Sequence, residues 1–192
     1  MKTAKIIIIG ESGVGKTSIA RRYFNRNFET GTDPTVGSGY FRGKTKINDA
    51  EIELEVWDTA GAERFRSLTP IYFTNASACV LVYDITDRLS FNELDSFYKL
   101  LERAPQDVLV FLVGNKVDLD SDRKILYLEA KQYAAKIKAE QYLETSALSG
   151  EGISMLFHAI ASHPNLKYLG NQASLLDDSV EEISPGAINP CC

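Results

Sequence analysis

The sequence predicts a three-layer α/β fold: a six-stranded, mainly parallel sheet with one antiparallel strand, covered on both faces by about five helices. Three observations carry this. Short apolar runs alternate with amphipathic stretches, which is the pattern of strand–helix–strand units and their parallel sheets. The first apolar run ends in a glycine-rich loop that opens a helix. With 192 residues, the chain has the length of a single domain able to bury a sizeable core.

The elements follow in order. Lys5–Ile9 is β-branched and bounded by Gly10, so it reads as a buried strand. Lys16–Phe24 reads as a helix. Tyr40–Asn48 and Glu51–Trp57 both alternate, and Asn48-Asp49 marks the turn of a hairpin whose second strand lies deeper in the sheet. A short helix is expected after residues 62–76. Ala78–Tyr83 is a buried strand, Ser90–Glu102 a helix, Val108–Val113 a buried strand and Tyr127–Ala139 a helix. Gln141–Glu144 is a short strand and Ile153–Ser162 a last helix. The folded domain is expected over residues 1–166. Residues 167–192 read as an acidic tail, polar and Pro/Gly-bearing from residue 170 and disordered in character.

Composition excludes several classes. The net charge is -5, and the last basic residue is Lys167; Asp177, Asp178, Glu181 and Glu182 follow it. A near-neutral body with an acidic tail argues against nucleic acid, which selects a basic face. No apolar run approaches the ~20 residues of a membrane span, and the N-terminus lacks the features of a secretory signal. Cys79, in an apolar run, reads as a core residue. His158 and His163 show no metal-ligand spacing.

Gly10-Glu-Ser-Gly-Val-Gly15-Lys16-Thr17 has the form G-x-x-x-x-G-K-[ST] between a strand and a helix. Such a loop aims backbone N–H groups at phosphate oxygens, and the positive end of the helix dipole adds to their pull. Lys16 would place a charge on the β- and γ-phosphates. Thr17 would offer its hydroxyl to Mg²⁺. Asn115-Lys-Val-Asp118 follows a strand. The Asp118 carboxylate can accept guanine's N1–H and 2-amino N–H bonds, which adenine cannot supply, and an unpaired buried acceptor costs ~1–3 kcal/mol. Asn115 can tie loops together, and the Lys116 stem can cover the base. In Thr145-Ser146-Ala147 a backbone N–H can meet the guanine O6. Asp58-Thr-Ala-Gly61 ends a strand: Asp58 can hold Mg²⁺ through water, and the Gly61 N–H can bond the γ-phosphate. Thr35, in the Gly/Pro-rich segment 31–39, can complete the metal shell. GTP and Mg²⁺ would hold both loops, and GDP would release them.

This ordered set resembles the Ras-like small GTPases across residues 4–163. The resemblance narrows to the Rab family through Trp57-Asp-Thr-Ala-Gly61, Glu63-Arg-Phe-Arg-Ser-Leu-Thr69, Leu81-Val-Tyr-Asp-Ile-Thr86 with Ser90-Phe91, and the terminal Cys191-Cys192. It implies a P-loop NTPase fold and a membrane-traffic switch that hydrolyses GTP to GDP. Ser12, Gly13, Val14, Gly15, Lys16, Thr17 and Ser18 would line the phosphates. Phe28 would pack across the guanine, with Asn115, Lys116, Asp118, Ser146 and Ala147 around it. Lys16, Thr35 and Gly61 would serve the chemistry. Tyr40, Trp57 and Tyr72 match the hydrophobic triad that effectors read. The implied partners are an exchange factor, a Rab GAP, an escort protein, a GDP-dissociation inhibitor and effectors, acting on a monomer. Geranylgeranylated Cys191 and Cys192 would anchor it at the cytoplasmic face of an intracellular membrane, with cycling through the cytosol.

Three departures from the family pattern stand out. Ala62 occupies the place of the usual glutamine, which orients the attacking water, so intrinsic hydrolysis is expected to be slow. The alternative is a GTP-bound scaffold that hardly hydrolyses. Val36-Gly-Ser-Gly-Tyr40 replaces Ile-Gly-Val-Asp-Phe, which predicts a looser start to its strand. Tyr72-Phe-Thr-Asn-Ala76 replaces Tyr-Tyr-Arg-Gly-Ala. A P-loop kinase would need an arginine-rich lid, and the sequence shows none.

Overall fold

A computed structural model describes residues 2–25, 38–59, 73–101 and 108–169, without the side chains of Ser38 and Thr59. The described elements are β1 (Lys2–Gly10), α1 (Lys16–Asn25), β2 (Ser38–Ile47), β3 (Ala50–Thr59), β4 (Ala78–Asp84), α2 (Arg88–Asn92), α3 (Leu94–Leu101), β5 (Leu109–Asn115), α4 (Tyr127–Lys136), β6 (Gln141–Thr145) and α5 (Ile153–Ala161). A 3-10 turn, Val117–Asp122, joins β5 to α4.

The six strands form one sheet in the order β2-β3-β1-β4-β5-β6. Only the β2–β3 pair is antiparallel. Its hairpin turns at Asn48-Asp49, closing on the Ile47–Ala50 pair, and Asn48 takes a positive φ of 52°. The chain leaves β1 in both directions, toward β3 and toward β4, so β1 is the point where the strand order switches. Ligands of such sheets bind at the carboxyl ends of strands beside that point.

Alternation along β1 builds two cores. Ile6 and Ile8 face a cluster with Leu54, Val56, Val80 and Val82 that α1 and α5 cover with Ile19, Leu156, Phe157 and Ile160. Ile7 and Ile9 face the opposite cluster, with Leu81, Tyr83 and Leu112 under Leu94, Phe97, Ala130 and Ala134 of α3 and α4. Strands clothed on both faces are apolar throughout, hence the unbroken burial of β4. Each fully buried Ile or Leu contributes ~1.5–3 kcal/mol.

Several boundaries differ from the sequence reading. β1 starts at Lys2, because Lys2–Lys5 pair with Ile52–Glu55 of β3. The expected helix Ser90–Glu102 begins at Arg88, since the Asp87 side chain accepts the Leu89 N–H at 3.0 Å. Glu93 divides it into α2 and α3 while staying near helical geometry (φ -73°, ψ -10°). α4 ends at Lys136 rather than Ala139, two residues before Lys138 takes a φ of 54°. From Ser38 onward the β2 ladder is in register, with Ser38–Thr59, Gly39–Asp58 and Tyr40–Trp57 paired; Val36 and Gly37 of the expected looser entry lie outside the described residues. No short helix follows residues 62–76 among the described residues: Ser77 leads directly into β4 at Ala78. Beyond α5, Leu169 donates its N–H to the Thr3 carbonyl at 2.7 Å, and Lys2 lies over the Tyr168 ring. Among the described residues, no helix is long and apolar enough to cross a membrane.

Candidate functional site

The loop from Gly10 to Lys16 joins the carboxyl end of β1 to the first turn of α1. Gly15 has a φ of 97°, and a Cβ there would stand 2.3 Å from the Asn115 amide, so only glycine lets β5 approach the loop. Val14 is buried beneath the loop, while Ser12 and Gly13 are exposed above it. The Ser12 N–H donates to its neighbour's Glu11 carboxylate at 2.8 Å. Lys16 is 5% exposed, and its ammonium donates to the carbonyls of Gly10 (2.9 Å) and Glu11 (2.7 Å). Two of its three donors are thereby spent within the loop. Burial lowers the ammonium to about 8, against the opposing pull of Asp58 and Glu11. Lys16 is thus charged at neutral pH in a place that disfavours charge. An anion of high charge density is what such a group stabilises.

Asp58, on β3, is wholly buried. Its Oδ2 accepts the Thr17 hydroxyl, and its Oδ1 has no hydrogen-bond partner among the described residues. Burial raises its pKa; the Thr17 bond and the charges of Lys16 and Arg21 oppose the rise. Gly39 pairs with Asp58 across β2 and β3, and a Cβ there would lie 3.3 Å from Oδ2. The missing side chain keeps the space beside the carboxylate open. A buried carboxylate and a threonine hydroxyl, both hard oxygen donors, suit Mg²⁺.

The opposite flank is built by β5 and β6. Asn115 is 1% exposed and joins three segments: its Nδ2 donates to the Val14 carbonyl at 2.8 Å, and its Oδ1 accepts from Thr145 Oγ1 (3.0 Å) and the Ala147 N–H (3.3 Å). Lys116 takes a left-handed φ of 70°, and its ammonium sits 2.6 Å from Asp84 Oδ2. The exposed Asp118 accepts the Ser146 hydroxyl at 2.5 Å, and Ser146 Oγ accepts the Ser149 N–H at 3.0 Å. The Ser146 N–H is spent on the Glu151 carbonyl at 3.0 Å. The only N–H of the pair left with a long, weak bond is that of Ala147.

Sequence reasoning grouped Lys16, Thr17 and Asp58, and separately Asn115, Lys116, Asp118, Ser146 and Ala147; the fold brings each group together. Gly39 it read only as loosening a strand. Asp84, Thr86 and Ser90 entered only as letters of a motif. In the structure Asp84 Oδ1 accepts from the Thr86 N–H and hydroxyl, at 2.8 and 2.7 Å, and the Ser90 Oγ accepts the Asp84 N–H at 3.0 Å. They form the seat for Lys116. The available signal was an acidic residue closing an otherwise apolar strand. Tyr40 and Trp57 meet edge to face with centroids 5.2 Å apart, and the Lys5 ammonium lies 4.9 Å over Trp57. Tyr40 is 48% exposed. Phe28, Thr35, Gly61, Ala62, Tyr72, Cys191 and Cys192 lie outside the described residues.

Comparison with known proteins identifies the family. Residues 5–165 match the Ras family. The chain is 37% identical over 190 residues to Ras-related protein Rab7 of Drosophila melanogaster, covering 96% of this chain and 90% of that one. It is 39% identical over 160 residues to Ras-related protein Rab-17 of Mus musculus, covering 82% and 74%. It is 38% identical over 174 residues to Ras-related protein Rab-11B of Dictyostelium discoideum, covering 90% and 79%. The match over residues 5–165 and the similarity to these Rab-named relatives place the chain in the Ras family as a Rab-type small GTPase, which binds GTP and GDP and acts in vesicular traffic.

Proposed function

We propose that the chain is a Mg²⁺-dependent GTP/GDP switch whose own hydrolysis step is slow. The observation that supports this best is the buried set of Lys16, Thr17 and Asp58, with an Asp58 oxygen lacking a partner among the described residues. Thr17 would hold Mg²⁺ directly, and Asp58 through water. The ion would neutralise charge on the β- and γ-phosphates when bound. Lys16 stabilises the same oxygens with its remaining donor. Backbone N–H groups of Gly13–Ser18 complete the cradle around the phosphates. Asp118, oriented by Ser146, selects guanine; Lys116, pinned on Asp84, lays its stem along the base; Asn115 keeps both loops in place. Thr35 and the Gly61 N–H are proposed to respond to the γ-phosphate, and Phe28 to cover the base.

Alanine at position 62 has no polar atom with which to orient water. In single-turnover hydrolysis, Ala62→Gln is expected to run about tenfold faster or more than the parent chain, the scale of one positioned polar contact to the reacting atoms. Equal rates would overturn this reading of position 62. A Rab GAP would act by supplying the missing group, and an exchange factor by loosening the Mg²⁺ and phosphate contacts. Tyr40, Trp57 and Tyr72 are the proposed effector surface.

Cys191 and Cys192 are the proposed lipid acceptors at the cytoplasmic face of an intracellular membrane, with an escort protein and a GDP-dissociation inhibitor handling the chains. One chain binds membranes marginally and two bind stably. The tail's acidic residues oppose anionic lipid rather than assist. Cys191→Ser alone should therefore move the protein to the soluble fraction; full membrane retention would count against the two-lipid anchor.

A further inference from the structure

A chain of side-chain bonds runs behind the two base-binding loops. Arg123, just after the 3-10 turn Val117–Asp122, forks onto Glu144: Nη1 meets Oε1 at 2.6 Å and Nη2 meets Oε2 at 2.9 Å. Its Nε donates to Asp120 Oδ1 at 2.6 Å, and Nη1 also reaches the Ile125 carbonyl at 3.2 Å. Glu144 immediately precedes Thr145-Ser146-Ala147. Its Oε1 accepts the Tyr142 hydroxyl at 2.7 Å, and Tyr142 meets the Tyr83 hydroxyl at 2.8 Å. Tyr83 stands on β4, Tyr142 and Glu144 on β6, with β5 between. The crossing works because Gly114 of β5 pairs with both Tyr83 and Glu144, and a Cβ on Gly114 would stand 2.7 Å from the Tyr83 hydroxyl.

The geometry points to Arg123, Glu144, Tyr142 and Tyr83 as positioning residues for guanine recognition, holding the Asp118 loop and the Ser146 loop in register from the side away from the base. This rests on the reading of Asp118 as the acceptor for guanine. The two loops meet in front through the Ser146–Asp118 bond at 2.5 Å and behind through the Arg123–Glu144 fork. A loop held at both ends cannot slide. The fork is largely screened from water, with side-chain exposures of 17% and 19%, and it is bidentate, so it fixes orientation as well as distance. Tyr83, fully buried in the second core, anchors the far end of the chain to the sheet. A carboxylate that accepts two N–H bonds from one base edge tolerates little displacement.

The test compares affinity for GDP and for inosine diphosphate, which lacks the 2-amino group. It uses the full chain and the variants Glu144→Gln, Arg123→Lys, Tyr142→Phe and Asp118→Ala. The preference for GDP should fall about fivefold in Glu144→Gln and about twofold to threefold in Arg123→Lys and Tyr142→Phe, as expected for loss or weakening of charge-assisted bonds acting at one remove. Arg123→Lys and Tyr142→Phe keep size and burial, so they carry the test if Glu144→Gln does not fold. Lower melting temperatures with an unchanged preference would overturn the inference and leave the chain of bonds as a structural brace alone. Asp118→Ala separates the two ideas. If it abolishes the preference and the other variants do not touch it, the positioning role fails. If Asp118→Ala itself leaves the preference intact, the reading of Asp118 fails.

Discussion

The proposed phosphate end and the proposed base end of the site are built on opposite principles. At the phosphate end, Lys16 and Asp58 are buried charges displaced from their ordinary protonation, the ammonium downward and the carboxyl upward, and both by burial. One Asp58 oxygen lacks a partner among the described residues. At the base end, each side chain in the recognition set has a partner inside the protein: Asn115 with Val14, Thr145 and Ala147; Lys116 with Asp84; Asp118 with Ser146. One end stores electrostatic cost that the proposed phosphate ligand and its cation would relieve. The other is preorganised, so that a wrong base finds acceptors already aimed elsewhere. On the proposed function, affinity would come mainly from the first and selectivity from the second.

That contrast can be broken at either end. Lys16→Ala should weaken GDP binding most, by about a hundredfold or more, since it removes a charge-assisted contact in a shielded site. Calorimetric titration with GDP measures it, and a loss under about fivefold would mean the buried charge is not the main phosphate contact. Asn115→Ala should strike stability as well as binding. It leaves the Val14 carbonyl, the Thr145 hydroxyl and the Ala147 N–H without that partner, at a cost of about 2–4 kcal/mol of unfolding free energy. Chemical denaturation reads this directly; an unchanged midpoint would show that the loops are held without it.

The gentlest probe is pH. Lys16 titrates at about 8 in the folded chain, below its ordinary 10.5. Phosphate raises that value, so the complex binds more protons than the free protein above pH 8. GDP affinity should therefore be level below about pH 8 and fall above it, by up to about tenfold per unit. Proton uptake measured in buffers of different ionisation enthalpy checks the sign. Guanosine, which has no phosphate, should show no such fall from Lys16, and an equal fall would place the titrating group elsewhere. The same shift acts on folding without nucleotide. The unfolded chain holds the Lys16 proton up to 10.5, so this residue's contribution makes the protein more stable as pH rises from about 8 to 10.5, and its cost is fully present below 8.

Much of this was legible in the residues. Gly10–Thr17 has a local meaning, because a glycine loop between strand and helix does one thing well. Asn48-Asp49 announced its hairpin, and the apolar runs announced the strands. Gly39 and Asp84 were not legible in the same way. A glycine at a strand start reads as slack, and only its pairing with Asp58 shows that the absent Cβ leaves room beside a carboxylate. An aspartate after an apolar run reads as a strand end, and only the fold brings Lys116 against it from the neighbouring strand's loop.

The sequence by itself determined the chemistry on offer: a glycine-rich loop of phosphate-binding form, a carboxylate proposed for guanine, a second proposed for the metal, and an alanine where the family pattern carries a glutamine. These lie in short stretches whose function depends on local spacing. The tertiary structure alone decided the energetics. Burial displaces Lys16 and Asp58, and three adjacent strands let Tyr83 reach over Gly114 to Tyr142 and the Arg123–Glu144 fork. The reason is range: a hydrogen bond between residues 59 apart, as between Tyr83 and Tyr142, exists only because the sheet lays their strands side by side.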